Sequence, residues 1–143
     1  MTRDEILAFF RERRRAWEAH DPVAIAAGYG ERGMTLSPMF GRQVGREAIR
    51  ESYRALFVAF PDWTMLDEGT LIDGDRVAQT FTVTATHVGE FMGLAGTHRR
   101  FQIQGVRIFE FKDGLIQHEQ RLYDFTGLLL QVGVLRGKPA KAQ

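Results

Sequence analysis

The chain is 143 residues long, 44% hydrophobic and 26% charged, and its 19 basic and 18 acidic side chains leave a formal net charge of +1. These values fit one ordinary globular domain and supply no global field to attract nucleic acid or an anionic membrane surface. Cysteine is absent, which excludes disulfides, thiolate metal ligands and a cysteine nucleophile.

The opening MTRDEILAFFRERRR carries charges where a signal peptide needs an apolar run, and no apolar stretch reaches membrane-spanning length. A cytoplasmic protein without a membrane partner is therefore expected. Thr2 and Glu5 have capping-box spacing, and Ile6, Leu7, Phe10, Arg14 and Trp17 then mark one face of a helix reaching to about His20. The basic run Arg11 to Arg15 contains Glu12 and reads as a solvated face of that helix, not as a nucleic-acid contact. Asp21 is placed to cap a short second helix with Pro22 at its first position, and Gly28 and Gly30 close it. MTLSPMFGRQVG reads as a short extended piece with a turn. A third helix opens at Gly45, repeats Ile49, Tyr53, Leu56, Phe57 and Phe60 at helical spacing, and stops at Pro61.

From there the pattern is β. DWTMLDEGTLI is extended, DGD turns, and RVAQTFTVTATHVG is a long strand rich in Thr and Val. After the glycine-containing loop EFMGLAGTH comes a second long strand, RRFQIQGVRIFEF, and KDGL offers Asp-Gly for a tight hairpin. IQHEQRLYD returns from it, and FTGLLLQVGVL ends the fold as a short apolar helix or turn. Helices followed by an antiparallel meander imply an α+β class, with the helices on one side of the sheet. The expected organisation is a single domain over 1–135 with a short tail over 136–143.

The returning strand carries polar groups on both faces. With Asp113-Gly114 as a two-residue turn and strict pairing behind it, Phe111 faces Ile116, Phe109 faces His118, Arg107 faces Gln120, Gly105 faces Leu122 and Ile103 faces Asp124. One face then holds apolar walls near the turn and Arg107, His118, Gln120 and Asp124 beyond it, as a small-molecule site would. Each group also has an ordinary reading. Asp124 precedes a helix and suits an N-cap, His118 and Arg107 suit a wetted sheet face, His87 suits a satisfied buried histidine, and Trp17, Tyr53 and Trp63 suit core packing. The four histidines have no HxH or HExxH spacing, so no metal is assigned. GxGxxG, P-loop and GxSxG frames are also absent from the sequence.

The segments AFPDW, GDRVAQTFTVTATHVGEFMGLAGT, GVRIFEFKDGLIQHE and YDFTGLLLQVGVL, in this order and spacing, resemble the SnoaL-like polyketide cyclase group of the nuclear transport factor 2-like superfamily. The resemblance covers nearly the whole chain. It implies a cone-shaped α+β barrel whose helices close a curved, mainly antiparallel sheet around a deep pocket. It also implies an intramolecular aldol closure of a polyketide ester, without metal or cofactor, with one pocket Asp as general acid/base. The matching position is Asp124. His118 is then its catalytic neighbour, and Gln120, Arg107, His87, Trp17, Tyr53 and Trp63 are the candidate substrate-binding residues. Desolvation of Asp124 would raise its pKa above the reference of ~3.9, while Arg107 in contact would lower it.

The chain departs from the group's pattern at Gln120, where an aromatic residue is usual, near His118, where an acidic one is, and at Ala95-Gly96-Thr97, which replaces Pro-Thr-Gly. A non-catalytic binder of an apolar small molecule and an epoxide hydrolase with Arg107 between two carboxylates remain alternatives on this fold. Relatives pair through the outer sheet face, here Thr80, Thr82, Thr84, Val106 and Ile108, so a two-fold homodimer is expected.

Overall fold

The computed structural model describes residues 1–141, apart from the side chain of Asp67; the last two positions of the expected tail lie outside the described residues. The first helix, α1, spans Arg3–Glu18, with both halves of the Thr2/Glu5 capping box formed. Its buried stripe is Ile6, Phe10, Arg13 and Trp17, so Arg13 and not Arg14 turns inward from the basic run. Helix α2 spans Pro22–Ala27 and is capped by Asp21, whose side chain accepts from the Ala24 amide at 3.1 Å. The third helix, α3, spans Arg46–Ala59 and buries Ile49, Ser52, Tyr53, Leu56 and Ala59.

Six strands form one sheet: β1 (Tyr29–Ser37), β2 (Gly41–Val44), β3 (Thr64–Asp73), β4 (Arg76–Thr86), β5 (Arg100–Lys112) and β6 (Leu115–Tyr123), in the order β2-β1-β6-β5-β4-β3. A last helix, α4, spans Phe125–Gln131. The α+β class expected from the sequence is borne out. The sheet is open and mixed, because β1 runs parallel to β6 while all other neighbours are antiparallel. The sequence pattern shortened β1: it begins at Tyr29, immediately after α2, with Gly30 inside it and not closing the helix. Its pairing with β6 is irregular between Tyr29 and Met34, where a Cβ on Gly33 would approach the carbonyls of Gly30 and Ile116 to 3.0 Å.

The Asp113-Gly114 turn forms as expected, with positive φ at both residues and Lys112 opposite Leu115. The strict register behind it does not. Phe111 pairs with Ile116, but Glu110 then pairs with His118, which leaves Gln117 as a bulge residue. A one-residue slip exchanges the two faces of a strand. Phe109 consequently faces Glu119, Arg107 faces Arg121 and Gly105 faces Tyr123, while Ile108 faces Gln120 and Val106 faces Leu122.

The core lies between the buried faces of the helices, chiefly α1 and α3, and the inner sheet face. Phe10 packs edge-on against Phe109 and Phe111, and Trp17 packs edge-on against Tyr53. Such aromatic pairs add about 0.5–1.5 kcal/mol beyond area burial. Among the described residues no helix is long and apolar enough to cross a membrane.

Candidate functional site

The inner face ends in a cavity of about 420 Å³, lined by Phe10, Arg13, Trp17, Trp63, Met65, Gln79 and Arg107, with Arg14, Glu18, His20 and Asp62 around its mouth. Ligand pockets commonly fall in the range of about 300–1,000 Å³. Trp17, Trp63, Met65 and Arg107 also line a smaller inner compartment, where Phe81, Ile103, Arg121 and Tyr123 meet them. The mouth is held by hydrogen bonds between residues distant in the chain. His20 Nε2 contacts the Trp63 carbonyl at 2.9 Å, and the Asp62 carboxylate accepts from the Thr86 amide and hydroxyl at 2.7 Å each.

Glu119 is the centre of the polar wall and is fully buried. It accepts from Arg13 Nη2 at 3.1 Å, from Arg121 Nε at 2.5 Å and from the Tyr29 hydroxyl. The Tyr53 hydroxyl closes the network, accepting from Arg121 Nη2 at 2.6 Å and Arg13 Nη2 at 3.1 Å and lying 2.8 Å from Tyr29 Oη. Four elements therefore meet here: α1, β1, α3 and β6. Beside them Arg107 donates to Gln79 Oε1 at 3.2 Å and lies over the Phe81 and Phe109 rings.

Burial alone would raise the Glu119 pKa, but the guanidiniums of Arg121, Arg13 and Arg107 and the Arg121 hydrogen bond hold it down to about 2. Arg121 and Arg13 move the other way: burial works against their charge, and Glu119 with the tyrosine oxygens holds both above the usual arginine value. Burial also raises Tyr29, keeping its phenol protonated. Glu119 is thus a permanent counter-ion at neutral pH and a poor proton acceptor. What it does is orient cations. A guanidinium fixed from behind by a carboxylate can present its remaining hydrogens to a carbonyl oxygen that gains negative charge.

The expected site residues divide. Trp17, Trp63 and Arg107 line the cavity, and Tyr53 joins the polar wall. His118 and Gln120 lie on the outer sheet face, so the expectation that they share a face with Arg107 is corrected; the bulge at Gln117 is the reason. Phe109, Phe111 and Ile103 do share the buried face, but Asp124 does not join them. Asp124 is exposed and caps α4, accepting from the Gly127 amide at 2.8 Å. His87 is buried away from the residues lining the cavity, caged by Phe60 and Phe91, with Nδ1 3.2 Å from Thr97 Oγ1. Burial lowers its pKa, so it is neutral.

Pattern reading missed Arg13, Tyr29, Glu119 and Arg121. Arg13 completes the apolar stripe of α1 as well as Arg14 does on spacing, and Glu119, Arg121 and Tyr123 formed the other face of the strand already marked as too polar. Among the described residues no group of three or more His, Asp or Glu is placed to hold a metal ion.

Comparison with known proteins agrees with this architecture. AclR, a candidate hydroxylase from Streptomyces galilaeus, is 28% identical, with a TM-score of 0.81 over 96% of this chain and 87% of its own. TsrD from Streptomyces laurentii shares the fold at a TM-score of 0.82, with 22% identity over 94% of this chain and 99% of its own. Aklanonic acid methyl ester cyclase AcmA of Streptomyces galilaeus is 31% identical over 85 residues, which cover 55% of this chain and 59% of that protein. The chain thus spans under two thirds of that cyclase. The sequence model of the SnoaL-like polyketide cyclase family matches residues 9–132, and the chain belongs to that family.

Proposed function

We propose that this chain catalyses a cyclase-type closure on a small, largely apolar, polyketide-like carbonyl compound, with Arg121 and Arg107 stabilising the enolate oxygen. The observation that carries this reading is the position of Arg121: it lines a mostly apolar inner compartment beside Arg107 and is fixed from behind by Glu119. Family membership and the cyclase named among the relatives support the reaction class.

In this reading the substrate loses a proton from the carbon beside a carbonyl, and the resulting enolate oxygen rests against the guanidiniums. The proton passes to solvent water at the cavity mouth, because both oxygens of Glu119 are already occupied by Arg13, Tyr29 and Arg121. The enolate carbon attacks a second carbonyl of the same molecule, one C–C bond forms, and the alkoxide regains a proton from water. The product is an isomer of the substrate, and no metal or cofactor takes part. Trp17, Trp63, Phe81 and Ile103 would hold the folded chain by apolar contact. Fixed donors of this kind are worth about 10²–10³ in kcat each.

Asp124 has no place in this mechanism, because its carboxylate is engaged as a cap outside the cavity. The test is to incubate the protein with a keto ester able to close on its own second ketone, following a product of unchanged mass and altered absorbance. Closure above the buffer rate supports the proposal. Saturable binding with no acceleration would leave the non-catalytic binder instead.

A further inference from the structure

Around the cavity, the buried side-chain atoms that lack a partner share one character. Arg13 Nε, Arg13 Nη1, Trp17 Nε1 and Trp63 Nε1 are buried donors without an acceptor, and all three residues line the cavity. Among the described residues no buried side-chain oxygen is left in the same condition. Native proteins pair nearly all buried polar groups, and leaving one unpaired costs about 1–3 kcal/mol, more for a charged one. A set made only of donors calls for a ligand that only accepts.

Charge narrows the class. Arg13, Arg121 and Arg107 surround the single carboxylate of Glu119 in a wall where Tyr29 is a neutral phenol. The two carboxylates at the mouth are engaged, Glu18 with Arg14 and Asp62 with Thr86, so guanidinium charge is in excess on the inner wall. Arg13 spends Nη2 on Glu119, Tyr29 and Tyr53, and it is the other two nitrogens that remain. Arg13 and Trp17 are one turn apart on the buried stripe of α1, at 6% and 8% exposure, so the two side chains are neighbours in the cavity wall. Next to them the Trp63 indole stacks on that of Trp17 at 6.3 Å and 27°. Flat aromatic faces beside a cation suit a planar ring that carries an anion.

We infer that the cavity takes an aromatic ligand bearing a free carboxylate, seated on Arg13 and the Trp17 N–H with its ring against Trp63, in preference to the corresponding neutral ester. The inference rests on the cavity being the ligand site, as proposed above. It makes an acid the tighter-binding form of its ligand, with the ester a weaker-binding substrate for the same closure. The carboxylate then anchors the molecule near α1, while Arg121 and Arg107 meet a carbonyl further in.

The experiment is calorimetric titration of the full chain with 6-hydroxy-2-naphthoate and with its methyl ester. The acid is expected to bind at least roughly tenfold more tightly, the effect of one charge-assisted hydrogen bond. Trp17→Phe keeps a ring and removes the N–H, and Arg13→Lys keeps the charge and removes the fork; each should bring the acid-to-ester ratio toward one. Trp17→Phe provides the readout if Arg13→Lys does not fold. Equal binding of acid and ester by the wild type, as when water alone serves these donors, overturns the inference while leaving the cyclase reading intact. Binding of neither also overturns the inference, and the cyclase reading is then decided by the keto ester closure alone. An unchanged ratio in a folded Trp17→Phe protein removes the seat on Trp17.

Discussion

Arg121 donates its Nε hydrogen to Glu119 Oε2 at 2.5 Å, from two positions further along the same strand and the same face of it. The pair exists because Gln117 bulges out of the hairpin and turns Glu119, Arg121 and Tyr123 inward. A carboxylate that was only neutralising a surface arginine would be exposed; this one is fully buried and also receives Arg13.

Glu119→Gln should therefore destabilise the fold strongly. Removing one member of a buried pair leaves uncompensated charge and costs about 3–5 kcal/mol. The urea midpoint should fall accordingly, with the slope unchanged. An unchanged midpoint would mean that the two arginines are satisfied elsewhere.

Acid should act through the same residue. The folded pKa of Glu119 is lowered from 4.5 to about 2, so its contribution is fully present above the unfolded value and is lost as pH falls from about 4.5 toward 2. The shift corresponds to roughly 3 kcal/mol. Urea midpoints across this window should drop more steeply for the wild type than for Glu119→Gln. Parallel acid limbs would contradict the assignment.

The outer sheet face is expected to pair two copies of the chain. Val106 lies opposite Leu122 there, Ile108 lies beside them, and Leu122 is 46% exposed. An uncovered β face with apolar members tends to be covered, and a two-fold dimer covers it symmetrically. Sedimentation at micromolar concentration should show a dimer, which Leu122→Lys shifts to monomer. A monomeric wild type would count against this surface.

Much of the fold is legible in the sequence because it rests on local rules. The Thr2/Glu5 box, Asp21 with Pro22, and Asp113-Gly114 fix their ends and turns through groups a few residues apart. The alternation of Val77, Phe81, Val83 and Ala85 marks the inner face of β4 without ambiguity. The site is less legible, because parity carries across a hairpin only while the ladder is regular. One unpaired Gln117 reassigns every residue beyond it, and no local signal separates that glutamine from its neighbours. The parallel contact of β1 with β6 is equally hidden: it joins Thr35 to Glu119 across most of the chain, with no turn to announce it. Arg13 looked like one of several solvated arginines, since only the packing of α1 tells it from Arg14.

Asp124 separates two readings of catalysis. Asn caps a helix as well as Asp does, whereas Ala costs about 1 kcal/mol. Asp124→Asn should leave the denaturant midpoint unchanged, and Asp124→Ala should lower it by that amount. A large loss in Asp124→Asn would show that the carboxylate charge does more than accept from Gly127.

The central claim is that chemistry belongs to the inward face bearing Arg121 and not to Asp124. Its most direct test is the turnover of a cyclisable keto ester by Arg121→Met and Asp124→Asn, compared at equal folded fraction. The expected result is a fall of about a hundredfold or more for Arg121→Met, with Asp124→Asn at the wild-type rate. Full activity in folded Arg121→Met, with activity lost in Asp124→Asn, would contradict it.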